Sequence, residues 1–193
     1  MLKIKPGAIA LLAFCMNISY AENLNLKPYL DIYPNFPKTG VDYVDISSLL
    51  SNPSIFNTAM DNMAERYRKT GIQAIVAIES RGFIFGAVLA QKLSIPLILA
   101  RKPNKLPGTV TKHCYKKEYG SDCLEIQQKS LKNYQKILVI DDIYATGGTI
   151  QAVVNLLEKS GIKEIELAVM GKLNNIPNQK MPQYPLFSLV EFD

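Results

Sequence analysis

Two adjacent carboxylates at the end of an apolar run hold the sharpest chemistry in this chain. Ile137-Leu138-Val139-Ile140 leads into Asp141-Asp142, and Ile143-Tyr144-Ala145-Thr146-Gly147-Gly148-Thr149 follows at once. The apolar run suits a strand buried in a parallel sheet, and the end of such a strand is where α/β sheets bind ligands. The small residues Ala145, Gly147 and Gly148 let backbone N–H groups approach a phosphate at a helix N-terminus, and Thr146 and Thr149 add hydroxyl donors. Carboxylates would repel a bare phosphate, but Asp141 and Asp142 can accept from ribose hydroxyls. The pattern therefore points to a phosphorylated ribose.

These residues need a scaffold, and strand and helix patterns alternate along the rest of the chain. Ala59, Met60, Met63, Ala64 and Tyr67 share one face of a helix expected over 57–70, which Gly71 stops. Strands are expected at 72–78, 96–100, 136–140, 164–170 and 186–192, and helices at 82–93 and 149–160. Residues 101–109 read as a Lys-, Pro- and Gly-rich loop, and 109–115 with 124–128 as the arms of a hairpin or flap. This alternation predicts an α/β fold: a mostly parallel twisted sheet with helices on both faces, plus a small hood or flap.

The 193 residues are 48% apolar and 20% charged, a composition that argues against disorder or a coiled coil. The net charge of +5 suits an acidic small molecule at least as well as nucleic acid, and its scatter along the chain argues against DNA binding. One His and three Cys leave few candidate ligands for a His/Cys zinc site. Residues 1–21 have the layout of a signal peptide: Lys3 and Lys5, an apolar stretch too short to span a bilayer, then Ser19 and Ala21 before the expected cut. The mature domain would be 22–193, exported to the periplasm or secreted, with no membrane segment. A cytoplasmic chain with an N-terminal strand or helix is the alternative. Cleavage would remove Cys15 and leave Cys114 and Cys123 as a candidate disulfide on opposite arms of the flap.

With the acid pair and TGGT in place, the chain resembles the type I phosphoribosyltransferases. Further segments narrow the resemblance to the adenine phosphoribosyltransferase family: Phe36-Pro37-Lys38-Thr39-Gly40-Val41, Glu79-Ser80-Arg81-Gly82, Lys105-Leu106-Pro107-Gly108 and Glu118-Tyr119-Gly120 with Leu124-Glu125-Ile126. The likeness runs from about Leu30 to Lys172. It implies transfer from 5-phosphoribosyl 1-pyrophosphate (PRPP) to adenine, giving AMP and pyrophosphate, in a purine-salvage homodimer. It also implies Mg²⁺ carried on substrate oxygens and water rather than on fixed protein ligands.

The resemblance assigns the 5′-phosphate to 145–149 and the ribose hydroxyls to Asp141 and Asp142. Pyrophosphate falls to Glu79, Ser80, Arg81, Arg101, Lys102, Lys105 and Tyr119, with a cis peptide between Glu79 and Ser80. An Arg of the 101–105 loop could serve a neighbouring subunit. A cation at a helix start opposes the helix dipole, so a ligand better explains Arg81. Glu118 becomes the acid/base near N7 of the base, on a flap that excludes water. Val41, Tyr43, Val44 and Tyr144 line the adenine pocket, where Val44 replaces a common Arg and Tyr144 an aliphatic residue. Two other readings stay open: a non-catalytic PRPP- or purine-nucleotide-binding protein, and a transferase of altered purine preference.

Overall fold

The computed structural model describes residues 25–116 and 121–193. The leader region 1–21, Glu118 and Tyr119 lie outside the described residues. A short 3₁₀ turn, Lys27–Tyr29, precedes β1 (Asp31–Tyr33), which pairs antiparallel with β2 (Tyr43–Asp45). After the four-residue α1 (Ser47–Leu50), α2 runs over Pro53–Tyr67. It begins four residues before the expected start because Asn52 caps it, accepting from the Ile55 N–H at 3.2 Å, and Pro53 supplies a preset first turn. The chain continues through β3 (Ala74–Ile78), α3 (Gly82–Leu93) and β4 (Leu97–Ala100) to the antiparallel arms β5 (Val110–Lys116) and β6 (Ser121–Gln127). β7 (Lys136–Tyr144), α4 (Gly148–Lys159), β8 (Glu164–Leu173) and β9 (Leu186–Phe192) complete it.

The central sheet has the order β4-β3-β7-β8-β9, and all its pairs are parallel. Strand alternation sends Ile75, Ala77, Leu138 and Ile140 into one core with α2 and α3. Val76, Ile78, Ile137 and Val139 enter a second core with α4 and with Leu124 and Ile126 of β6. Helices therefore cover both faces, as the alternation predicts. α3 approaches its face closely at Gly86, where a Cβ would come within 2.5 Å of Ala77 Cβ.

The helix after β3 and the helix after β7 lie on opposite faces of the sheet. β3 and β7 are neighbours, so their C-terminal loops part and open a crevice between them. Ligands of open α/β sheets bind at such a switch point. The crevice is flanked by residues 79–81 on one side and 141–148 on the other. Among the described residues, no helix is long and apolar enough to cross a membrane.

Candidate active site

β7 continues past Ile140, because Asp141, Ile143 and Tyr144 pair with Val169, Gly171 and Lys172 of β8. The acid pair therefore sits inside a strand that ends at the cradle. Asp142 is buried, and its Oδ2 lies 2.5 Å from Arg81 Nε. Arg81 also donates from Nη1 to the Val44 carbonyl at 2.8 Å, and its guanidinium lies 4.9 Å from the centre of the Tyr43 ring. The sequence reading assigned these residues to three separate functions: pyrophosphate, ribose and base. The structure gathers them into one cluster, with Arg81 tying β2 to the end of β7.

Asp141 is partly buried, with an oxygen over the start of α3, where a Cβ on Gly82 would meet Oδ1 at 2.9 Å. Loss of water around its carboxyl, and next the neighbouring Asp142 charge, push its pKa above the usual carboxylate range. A ligand that brings cations or hydroxyls to this point relieves that penalty.

Beyond the strand, Gly147 opens α4 at φ +75°, a left-handed conformation that glycine adopts without strain. A Cβ there would also collide with the Tyr144 hydroxyl and come within 3.0 Å of the Lys180 carbonyl. Gly148 stands in more open space, where a Cβ would first meet the Tyr115 ring at 3.7 Å. The Thr149 hydroxyl lies 3.3 Å from that of Tyr115. Thr146 is exposed at the rim. The loop has the shape of an anion cradle at a helix N-terminus.

The peptide between Glu79 and Ser80 is cis. Ser80 is exposed beside the crevice, but Glu79 faces the scaffold. Its carboxylate accepts from Arg101 Nε at 3.2 Å, Arg101 Nη2 at 3.4 Å and the Lys102 N–H at 2.8 Å. Burial opposes ionisation of Glu79, yet those donors and the Arg101 and Lys102 charges hold its pKa below the ordinary value. Arg101 also donates from Nη1 to the Lys105 carbonyl at 3.2 Å. Glu79 and Arg101 therefore secure the 101–105 loop, whereas Lys102 and Lys105 remain exposed as its cations. Buried Glu125 holds the same loop from β6, accepting from the Asn104 N–H at 3.1 Å.

The residues expected at the base pocket divide between the surface and the core. Tyr43 meets Phe36 edge-on at 5.3 Å, and Val41 is exposed beside them, so an aromatic platform stands over Arg81. The Val44 side chain instead points into the core, because the burial pattern of β2 turns it inward. Tyr144 is likewise buried, and its hydroxyl donates to the Lys180 carbonyl. Its ring lies close against Gly147 at the start of α4. Sequence reasoning missed Tyr115 and Glu125, since neither stands in a motif that announces its partner.

Cys114 and Cys123 are register partners across β5 and β6 and are joined by a disulfide. The same arm rests on α4, where the His113 ring lies 3.0 Å from Asn155 Nδ2 and 3.3 Å from Lys159 Nζ. Desolvation first, then the Lys159 and Lys180 charges, depress the His113 pKa.

A phosphoribosyl transferase domain matches residues 45–189. An adenine phosphoribosyltransferase of Haemophilus ducreyi is 40% identical over 171 residues, which cover 87% of this chain and 96% of that protein. The chain belongs to the adenine phosphoribosyltransferase family. Two solved family members share its fold. The enzyme of Thermoanaerobacter pseudethanolicus superposes with a TM-score of 0.81 at 34% identity, covering 86% of this chain and 98% of that one. The Giardia lamblia enzyme, complexed with 9-deazaadenine, gives 0.79 at 32%, covering 86% and 95%.

Proposed function

We propose that this adenine phosphoribosyltransferase converts adenine and PRPP to AMP and pyrophosphate in purine salvage, with residues 145–149 holding the 5′-phosphate. The cradle that opens α4 beside the Asp141-Asp142 pair is the observation that carries this reading. The new bond joins a ring nitrogen of adenine to the anomeric carbon of ribose, and the bond from that carbon to pyrophosphate breaks. The base loses a proton, and Glu118 is the acid/base assigned to it. Charge that develops on the ribose in an oxocarbenium-like transition state is stabilised by the carboxylates beneath it.

Lys102 and Lys105 offer cations to the departing pyrophosphate, and Tyr119 closes over it with the flap. Arg81 reaches the same group from the far wall, and the aromatic platform of Tyr43 and Phe36 offers a stacking face for the base. Among the described residues, no three His, Cys, Asp or Glu side chains are grouped to hold a metal. Asp141, partly buried and raised in pKa, fits a hard cation that arrives on substrate oxygens. Mg²⁺ bound so would neutralise charge on the leaving group.

The active unit is a homodimer, as the resemblance implies. Residues 1–21 act as an export leader, and the mature domain is 22–193. Support comes from the basic, apolar and small-residue layout, and from a disulfide that belongs in an oxidising compartment.

The deciding assay offers the 22–193 protein PRPP and Mg²⁺ with adenine, hypoxanthine, guanine and xanthine separately. AMP from adenine alone is the expected outcome. Turnover of a 6-oxopurine would mean a remade base pocket, and no turnover of any base would leave only a binding protein.

A further inference from the structure

A segment far from every motif holds the cradle in shape. Residues 176–183 cross behind the loop, and three bonds join the two. Gln179 Nε2 donates to the Ala145 carbonyl at 2.6 Å and to the Leu173 carbonyl, at the end of β8, at 2.7 Å. The Lys180 N–H donates to the Thr146 carbonyl at 3.0 Å, and the Lys180 carbonyl accepts from Tyr144.

A trans peptide is planar, so the carbonyl of one residue and the N–H of the next point in opposite directions. Holding the Ala145 carbonyl against the strap therefore turns the Thr146 N–H away from it. Holding the Thr146 carbonyl does the same for the Gly147 N–H. Both N–H groups are left facing the open side of the loop, where an anion would sit. One side-chain amide uses both of its hydrogens to fix this arrangement to the sheet.

We propose that Gln179 is a positioning residue for the reaction, presetting the backbone donors that receive the 5′-phosphate. The proposal rests on the reading that 145–149 bind that phosphate. A cradle ordered before the ligand arrives loses less entropy on binding, so the strap acts on affinity for the phosphate and not on the base.

The experiment measures AMP and adenine binding by calorimetry, with PRPP kinetics, in Gln179→Met, Gln179→Lys and Thr149→Ala. Met keeps the length and removes both donors, whereas Lys restores donor hydrogens. Gln179→Met should weaken AMP binding and raise KM for PRPP about tenfold, the worth of one to two hydrogen bonds. Adenine affinity and kcat should stay within about twofold, and Gln179→Lys should recover most of the loss. An unchanged Gln179→Met beside a weakened Thr149→Ala overturns the role of the strap and leaves the cradle standing. If neither variant loses AMP affinity, both readings fall. Equal losses of AMP and adenine with a lowered melting temperature would reduce Gln179 to a structural residue and overturn the proposal. Gln179→Glu, which keeps the size but turns charge toward two carbonyls, supplies the same comparison if the Met variant does not fold.

Discussion

Arg81 shows how a residue proposed for the chemistry can also hold the fold together. Its guanidinium neutralises buried Asp142 and reaches the Val44 carbonyl, so β2 is held against the end of β7. Arg81→Met removes the only cation within ion-pair distance of Asp142 among the described residues and should cost about 3 kcal/mol, the low end for breaking a buried pair. Adding Asp142→Asn should recover most of that stability, because the uncompensated charge is gone. Urea midpoints of the two single variants and the pair, read as a double-mutant cycle, measure this. On the pyrophosphate role proposed for Arg81, activity should stay low in the pair. The acid pair and TGGT were legible in the sequence because strand, carboxylates and cradle are consecutive. The partner of Asp142 was not, because an ion pair between distant positions leaves no local trace. The burial of the Tyr144 ring was not legible either, because position beside the acids does not say which way a ring turns.

At the scale of elements, helix α3 matches its expected span of 82–93, bounded by the turn at 79–81 and by Ser94 in the left-handed conformation. β7 outran its expected end at Ile140, because acidic residues can continue a strand when a neighbouring strand supplies backbone partners. β1 and β2 went unpredicted, being three residues each and too short for any period to register. The β5–β6 hairpin was legible as a flap, and its arms share one covalent staple. Such a staple restricts the motions by which a flap closes. Turnover by the reduced 22–193 protein should therefore exceed that of the oxidised protein by roughly two- to fivefold, a gating-size effect. Parallel assays with and without dithiothreitol, with thiols counted by a chromogenic disulfide reagent, would check it. Equal rates in the two forms would mean that the staple does not limit closure.

For the whole molecule, a parallel sheet covered on both faces was legible from alternation alone, and its strand order was not. The order depends on which strands the crossovers bring together, and β4 returns to one side of β3 while β7 takes the other. That choice creates the crevice that the candidate site residues flank. The export proposed above is tested at the scale of the whole chain. Expressed in a bacterium and recovered from the periplasm, the protein should begin at Glu22 on N-terminal sequencing. Recovery from the cytoplasm with Met1 intact would remove the leader reading. The Cys114–Cys123 bridge also closes a covalent ring with a sequence separation of 9 around the segment that carries Glu118. A protease that cuts inside this ring would open the chain without releasing a fragment. Outside the cell, a nicked molecule would keep its full mass and reveal the cut only after reduction.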